Sequence, residues 1–256
     1  MLNYLSAELY KLRRKKSLYI GIAALLVLES LLFTPSLWID EMPLAEILMG
    51  FFTTALPCGL FLAPVFAVLA FDNQHGYATL KNEVVFGIPR SRVYLGKLLA
   101  GMTAGTVAAA VVIGWYLLLC MLTAGPIAES PFWTELLIDI ISAWLTWLAA
   151  LSFAMFLLFS MGSSAGAMVV TYLIAFIGVP VGMIGAGEGA APWIRLLVNL
   201  FYSAPYKRFW YDLGGNVNDT SPLHWDALSY AVLVCAVWVG IFTALGLLRL
   251  WRREIK

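Results

Sequence analysis

Two carboxylates interrupt long apolar runs in this 256-residue chain: Glu29 lies within Ser17 to Phe33, and Asp139 within Leu136 to Ser160. An acid at membrane depth is costly to ionise, and the chemistry open to it is proton handling or the binding of a charged cargo. Lys207 and Arg208 are the basic residues expected on the same side, so Glu29, Asp139, Lys207 and Arg208 form the candidate pathway set. The plain alternative is that both acids sit toward the outer ends of their runs, reach water or headgroups, and line nothing.

Other chemistry lacks its parts. The Gly96-Lys97 pair has no glycine five residues earlier and no Ser or Thr after it, so it is not a phosphate-binding loop. His75 and His224 fall on opposite predicted sides of the membrane, and no HExxH occurs, so a shared metal or proton relay is not expected. Serine hydrolysis within the membrane requires a histidine or lysine base at depth, and every such residue lies in a loop or at a run's end. Cys58, Cys120 and Cys235 sit inside apolar runs without metal-ligand or redox spacing, and read as packing residues.

The elements that must position these groups are helices in lipid. Only 12% of the residues are charged, against about 25% in a soluble domain, too few to clothe a water-facing surface. Six membrane spans are expected, at residues 17–33, 45–71, 98–122, 136–160, 167–184 and 227–248, in one all-α membrane domain covering residues 1–256. Pro57 and Pro64 kink the second span. Between the fifth and sixth spans, Trp193, Leu196, Leu197, Leu200 and Phe201 form an amphipathic piece that lies along the interface or re-enters the membrane. Gly101-x-x-x-Gly105 and Gly162-x-x-x-Gly166 permit close helix contact, either inside the bundle or at a seam between two copies.

Orientation follows from lysine and arginine. Thirteen lie before the first span, between spans two and three, or after the sixth, and only Arg195, Lys207 and Arg208 lie on the other side. Short positively charged segments stay in the cytoplasm, so both termini are expected inside, with the chain in the cell membrane. The basic start before the first span, without a small-residue cleavage site, reads as a retained signal anchor.

Two cytoplasmic segments carry internal order. Residues 1–16 place Leu2, Leu5, Leu9 and Leu12 on one helical face, an interfacial helix against the inner leaflet whose basic residues meet anionic lipid. In the loop from Asp72 to Lys97, Tyr77, Leu80 and Val84 share one face of a short helix over 76–86. Gly87 is placed to cap that helix, Pro89 to stop it, and Ser91 to cap the next. A short amphipathic helix held at a rigid corner is suited to dock in a groove of another protein.

The stretch FDNQHGYATLKNEVVFGIPRSRVYLGKLLA, Phe71 to Ala100, resembles the type-2 permeases of ATP-binding cassette exporters. The resemblance rests on Asp72, Gly76, Thr79, Leu80, Pro89, Arg90 and Lys97, with AELYKLRRKKSLY similar to the family's N-terminal elbow helix. It implies that the 76–86 helix is a coupling helix seated on a separate ATPase, with Tyr77, Leu80 and Val84 as docking contacts. Lys81, Arg90 and Arg92 would join Asp72 in polar pairs, and Gly76, Pro89 and Lys97 would shape the corner. It also implies two permeases, identical or paralogous, around one pathway. The chain itself would be no enzyme and hold no cofactor, with ATP and Mg in the partner. The expected cargo is a peptide, a lipid-like molecule or an amphiphilic drug, self-protection against antimicrobial peptides being one such role; no nucleic acid is expected as a partner. Two other readings stand beside this one: a proton-coupled carrier working through Glu29 and Asp139 without an ATPase, and a sensing or scaffold subunit that transports nothing.

Overall fold

The computed structural model describes residues 2–33, 59–71, 83, 85, 87–124, 130–161, 163–173 and 224–252. Every regular element among them is helical. In chain order these are α1 (Leu2–Arg13), α2 (Lys16–Phe33), a 3-10 turn (Gly59–Leu62) running into α3 (Ala63–Phe71), α4 (Arg90–Ala124), α5 (Ser130–Met161), α6 (Ser164–Leu173) and α7 (His224–Arg252). Arg90–Leu119 of α4, Ile140–Met161 of α5 and Cys235–Arg252 of α7 are the three stretches, among the described residues, long and apolar enough to cross a membrane. The outer segment between spans five and six lies, but for its last two residues, outside the described residues.

Local chemistry explains where these helices start. Pro89 cannot continue a helix, yet its carbonyl accepts N–H bonds from Arg92 at 2.9 Å and Val93 at 3.2 Å, so α4 begins at Arg90 and Ser91 lies inside its first turn. Ser91 is therefore not the cap that its residue type suggested. Pro131 falls in the first turn of α5, where its missing N–H is no loss. Ser163 caps α6: its Oγ accepts the Gly166 N–H at 3.2 Å, and its carbonyl accepts that of Ala167. The described part of the second apolar run is a 3-10 turn followed by helix, with Pro64 just inside α3. At that junction the Phe61 carbonyl accepts the Tyr172 hydroxyl at 3.0 Å, a neighbour supplying a donor where the backbone departs from regular helix.

Aromatic packing joins the long helices. Phe153 and Phe156 of α5 meet Phe242 of α7 at centroid distances of 4.8 and 5.7 Å, and Phe153 also meets Trp238. Phe159 bridges Phe71 of α3 at 5.0 Å and Tyr94 of α4 at 4.8 Å. Tyr94 is fully buried, and its hydroxyl donates to the Phe242 carbonyl at 3.2 Å. That approach needs Gly246, since a Cβ there would strike the Tyr94 ring. Edge-to-face pairs of this kind add about 0.5–1.5 kcal/mol beyond their buried area.

The first glycine pair works inside the bundle. Gly101 lies against Ala70 of α3 and Leu151 of α5, and a Cβ at Gly105 would collide with Trp147. Gly162 lies outside the described residues.

Candidate functional site

On α1, Tyr4, Glu8 and Lys11 recur at spacings of four and three, so they form one stripe beside the leucine face. That leucine face packs on the protein itself: Leu12 is buried, and Leu5 and Leu9 lie against the core. Gly96 sets how closely α1 approaches, because the Tyr4 ring occupies the space that a Cβ at Gly96 would take. Tyr4, Glu8 and Lys11 are thereby brought to the start of α4, beside Lys97.

A third segment arrives at the same place. Residues 83 and 85 are helical, and the helix closes with Gly87 at φ +82° and the Ile88 N–H bonded to the Glu83 carbonyl at 3.1 Å. This six-to-one bond around a left-handed glycine is a Schellman cap. It fixes Glu83 on the inward side of the loop, while Val85 is 73% exposed.

The result is a cluster of two acids and two lysines, in which Glu8, Glu83 and Lys97 are buried and Lys11 is half-exposed. Glu8 Oε1 lies 2.6 Å from Lys11 Nζ, and Glu8 Oε2 lies 3.3 Å from Lys97 Nζ. Glu83 Oε1 faces Lys11 at 3.4 Å and Lys97 at 3.8 Å, and Glu83 Oε2 accepts the Tyr4 hydroxyl at 2.9 Å. Each carboxylate oxygen has a partner and the formal charges cancel, the condition under which buried ions are tolerated. Lys97 is only 2% exposed. Burial, reinforced by the Glu8 and Glu83 charges, pushes the Tyr4 phenol well above its ordinary value. For Lys11 burial acts downward, but the hydrogen bond and charge of Glu8, then those of Glu83, leave it raised on balance.

Two further ties frame the cluster. Lys15, in the bend between α1 and α2, donates to the Leu69 carbonyl at 2.7 Å, near the end of α3. Arg90 donates to the carbonyls of Leu250 and Trp251 at 3.0 and 2.9 Å, in the last turn of α7. A cation there satisfies orphan carbonyls and complements the helix dipole. The arrangement is a joint binding the N-terminal helix, the loop, α4 and α7. It contains no activated nucleophile, and among the described residues no group of three or more His, Cys, Asp or Glu is placed to hold a metal.

The chain matches the family model described as ABC-2 family transporter protein over residues 4–182. It belongs to the ABC-2 transporter family. No curated protein matches it. An ABC-2 membrane protein is a transport component of the permease type, and members usually work with an ATP-binding partner.

The residues singled out in this ABC-2 permease separate into three groups. Lys97 is in the cluster, Arg90 spans from the corner to α7, Pro89 starts α4, and Arg92 is exposed beside it. Glu29 is buried in α2, far along the chain from the cluster, and Asp139 belongs to α5. Asp72, Gly76, Tyr77, Leu80, Lys81, Val84, Lys207 and Arg208 lie outside the described residues. Tyr4, Glu8 and Glu83 were not anticipated. The available signal was a glutamate in the middle of a basic segment, on the same helical stripe as a tyrosine and a lysine.

Proposed function

We propose that this permease is the membrane-spanning subunit of an ATP-driven exporter, with six spans, both termini cytoplasmic, and a separate ATPase subunit that binds ATP and Mg. The observation that carries this reading is the contrast across two residues. Glu83 is buried in the charge cluster, and Val85 is the most exposed large apolar side chain among the described residues. One side of the loop helix is thus tied to the chain, and the other presents apolar surface of the kind that docks in a partner's groove. Val85 lies within the 76–86 segment read from the sequence as the coupling helix, with Tyr77, Leu80 and Val84 as its docking contacts, and its exposure supports that reading. Arg92, exposed at the corner, adds a charge at the edge of that surface. The cluster then hands displacement of the loop to α1 and α4 together. Two such subunits, identical or paralogous, enclose the pathway, and the cargo is a peptide, a lipid-like molecule or an amphiphilic drug.

The test is affinity co-purification from detergent with a candidate ATPase. Wild type should retain the ATPase. Leu80→Asp/Val84→Asp and Val85→Asp should lose it while keeping the wild-type melting temperature. Failure of wild-type protein to bind any ATPase encoded beside it would sink the reading.

A further inference from the structure

The leucine face of α1 is covered by the protein, so a different face is turned outward. Asn3, Ser6, Tyr10 and Arg13 recur at spacings of three, four and three, one stripe that is exposed throughout. Tyr10 is 55% exposed. Arg14, exposed just past the helix end, lays its guanidinium carbon 4.5 Å from the centroid of the Tyr10 ring, a cation–π contact that holds the charge over the aromatic face. Lys16 follows two residues later, exposed at the start of α2. Arg13, Arg14 and Lys16 make no ion pair among the described residues. The acids of α1 and α2, Glu8 and Glu29, are both buried, and Glu8 is committed to Lys11 and Lys97.

The direction of this basic face follows from what covers the other one. α1 lies against the side of α4, with the Tyr4 ring over Gly96, and Lys15 at its end reaches the Leu69 carbonyl of α3. The exposed stripe therefore points away from the bundle, beside the ends of α3 and α4, at the depth where apolar helices leave the hydrocarbon and phosphate headgroups begin. From there α2 continues into the lipid. Lys16, Ile20, Ala23 and Val27 recur at spacings of four, three and four and are all exposed, so one apolar stripe runs on from the cations. Exposed Tyr19 borders it. From Lys16 to Val27 the stripe is about 16 Å long at 1.5 Å per residue, the depth of one leaflet in a hydrocarbon core about 30 Å thick. An acidic peptide would use the cations alone. A phospholipid with net negative charge uses both the cations and the stripe.

We propose that Tyr10, Arg13, Arg14 and Lys16 bind the headgroup of an anionic phospholipid whose acyl chains lie along Ile20, Ala23 and Val27. The two arginines and the lysine face its phosphate, and Tyr10 fixes the Arg14 guanidinium and presents its hydroxyl at the same level. The lipid clamps α1 from outside while the Glu8–Lys97 pair holds it from inside. The charge of the surrounding lipid thus sets how firmly the joint is held.

The experiment uses full-length protein in detergent micelles, titrated with phosphatidylglycerol or with phosphatidylcholine of the same acyl chains. Native mass spectrometry reads the bound lipid, and a melting assay reads its effect. Wild type should take up phosphatidylglycerol at several-fold lower concentration than phosphatidylcholine and melt at a higher temperature with it. Arg13→Gln/Arg14→Gln/Lys16→Gln should lose this preference, yet melt as wild type does in lipid-free micelles, because all three side chains are exposed. Arg92→Gln/Arg249→Gln/Arg252→Gln removes as many exposed cations from other helices and should keep the preference. Equal uptake of the two lipids by wild type, or equal loss of preference in both variants, would overturn the proposal. An unchanged preference in the first variant overturns it too, and loss of a second copy or of a bound ATPase from that variant would assign the face to a protein partner. The titration contains no ATPase, so its result is independent of the co-purification test.

Discussion

The Lys97 ammonium lies 3.3 Å from Glu8 Oε2, joining two buried groups that are 89 residues apart in the chain. This ion pair fastens α1 to the root of α4. Removing the cation alone, as in Lys97→Met, leaves Glu8 and Glu83 sharing the half-exposed Lys11, and should destabilise the fold by about 3–5 kcal/mol. Replacing the set together (Glu8→Gln, Glu83→Gln, Lys97→Met) should restore most of that loss in a detergent melting assay. The triple variant should still bind the ATPase but show less cargo-stimulated ATP hydrolysis.

Gly96→Ala should lower stability by about 1–3 kcal/mol, because its Cβ enters the space of the Tyr4 ring. A double-mutant cycle with Tyr4→Ala checks the cause. If Tyr4 is the obstacle, the pair should be less damaging than the sum of the single changes.

Arg90→Ala should free the last turn of α7, since the guanidinium is a donor to the carbonyls of both Leu250 and Trp251. The expected loss is about 1.5–3 kcal/mol, the range for hydrogen bonds to charged groups. Hydrogen exchange should rise at the C-terminal end of α7, and Arg90→Lys should recover only part of the protection, because an ammonium lacks the planar fork.

Alkali should loosen the joint. Tyr4 and Lys11 both hold their protons more tightly in the fold than in the unfolded chain, where they titrate at about 10.0 and about 10.5 respectively. Their contribution is thus complete below about pH 10 and is lost as pH rises through the folded values. The melting temperature of wild type should fall above about pH 10, and Tyr4→Phe/Lys11→Met should show a shallower fall.

Hydropathy made the helical class and the membrane setting legible, because an apolar run near 20 residues has few other uses. Gly87 and Pro89 were legible as punctuation, since each has a narrow conformational repertoire, although the helix after Pro89 starts before Ser91. The charge cluster was not legible. Nothing local tells Glu83 that Tyr4 and Lys97 will meet it, and the leucine face of α1 reads equally well as lipid-facing or protein-facing. In the sequence Gly96-Lys97 reads as a failed phosphate loop, with Lys97 at the corner after Pro89. Its structural work, a notch followed by a buried ammonium, depends on which helix lies across it. Lys97 and Arg90 stood out by residue type, but their partners were set by tertiary structure.

α4 is one unbroken helix of 35 residues, about 52 Å long at 1.5 Å per residue, while a hydrocarbon core is about 30 Å thick. No proline falls within it, and its glycines face packed neighbours or open space. Its inner end carries the joint, and about 25 residues further along it Trp115 borders a groove shared with Leu26, Val27, Ser30 and Leu31 of α2. A rod of that length would carry a push at its inner end to its far end, with the contacts of Gly101 and Gly105 on α3 and α5 as the pivot. The groove at Trp115 would then widen or narrow without any residue between changing its rotamer.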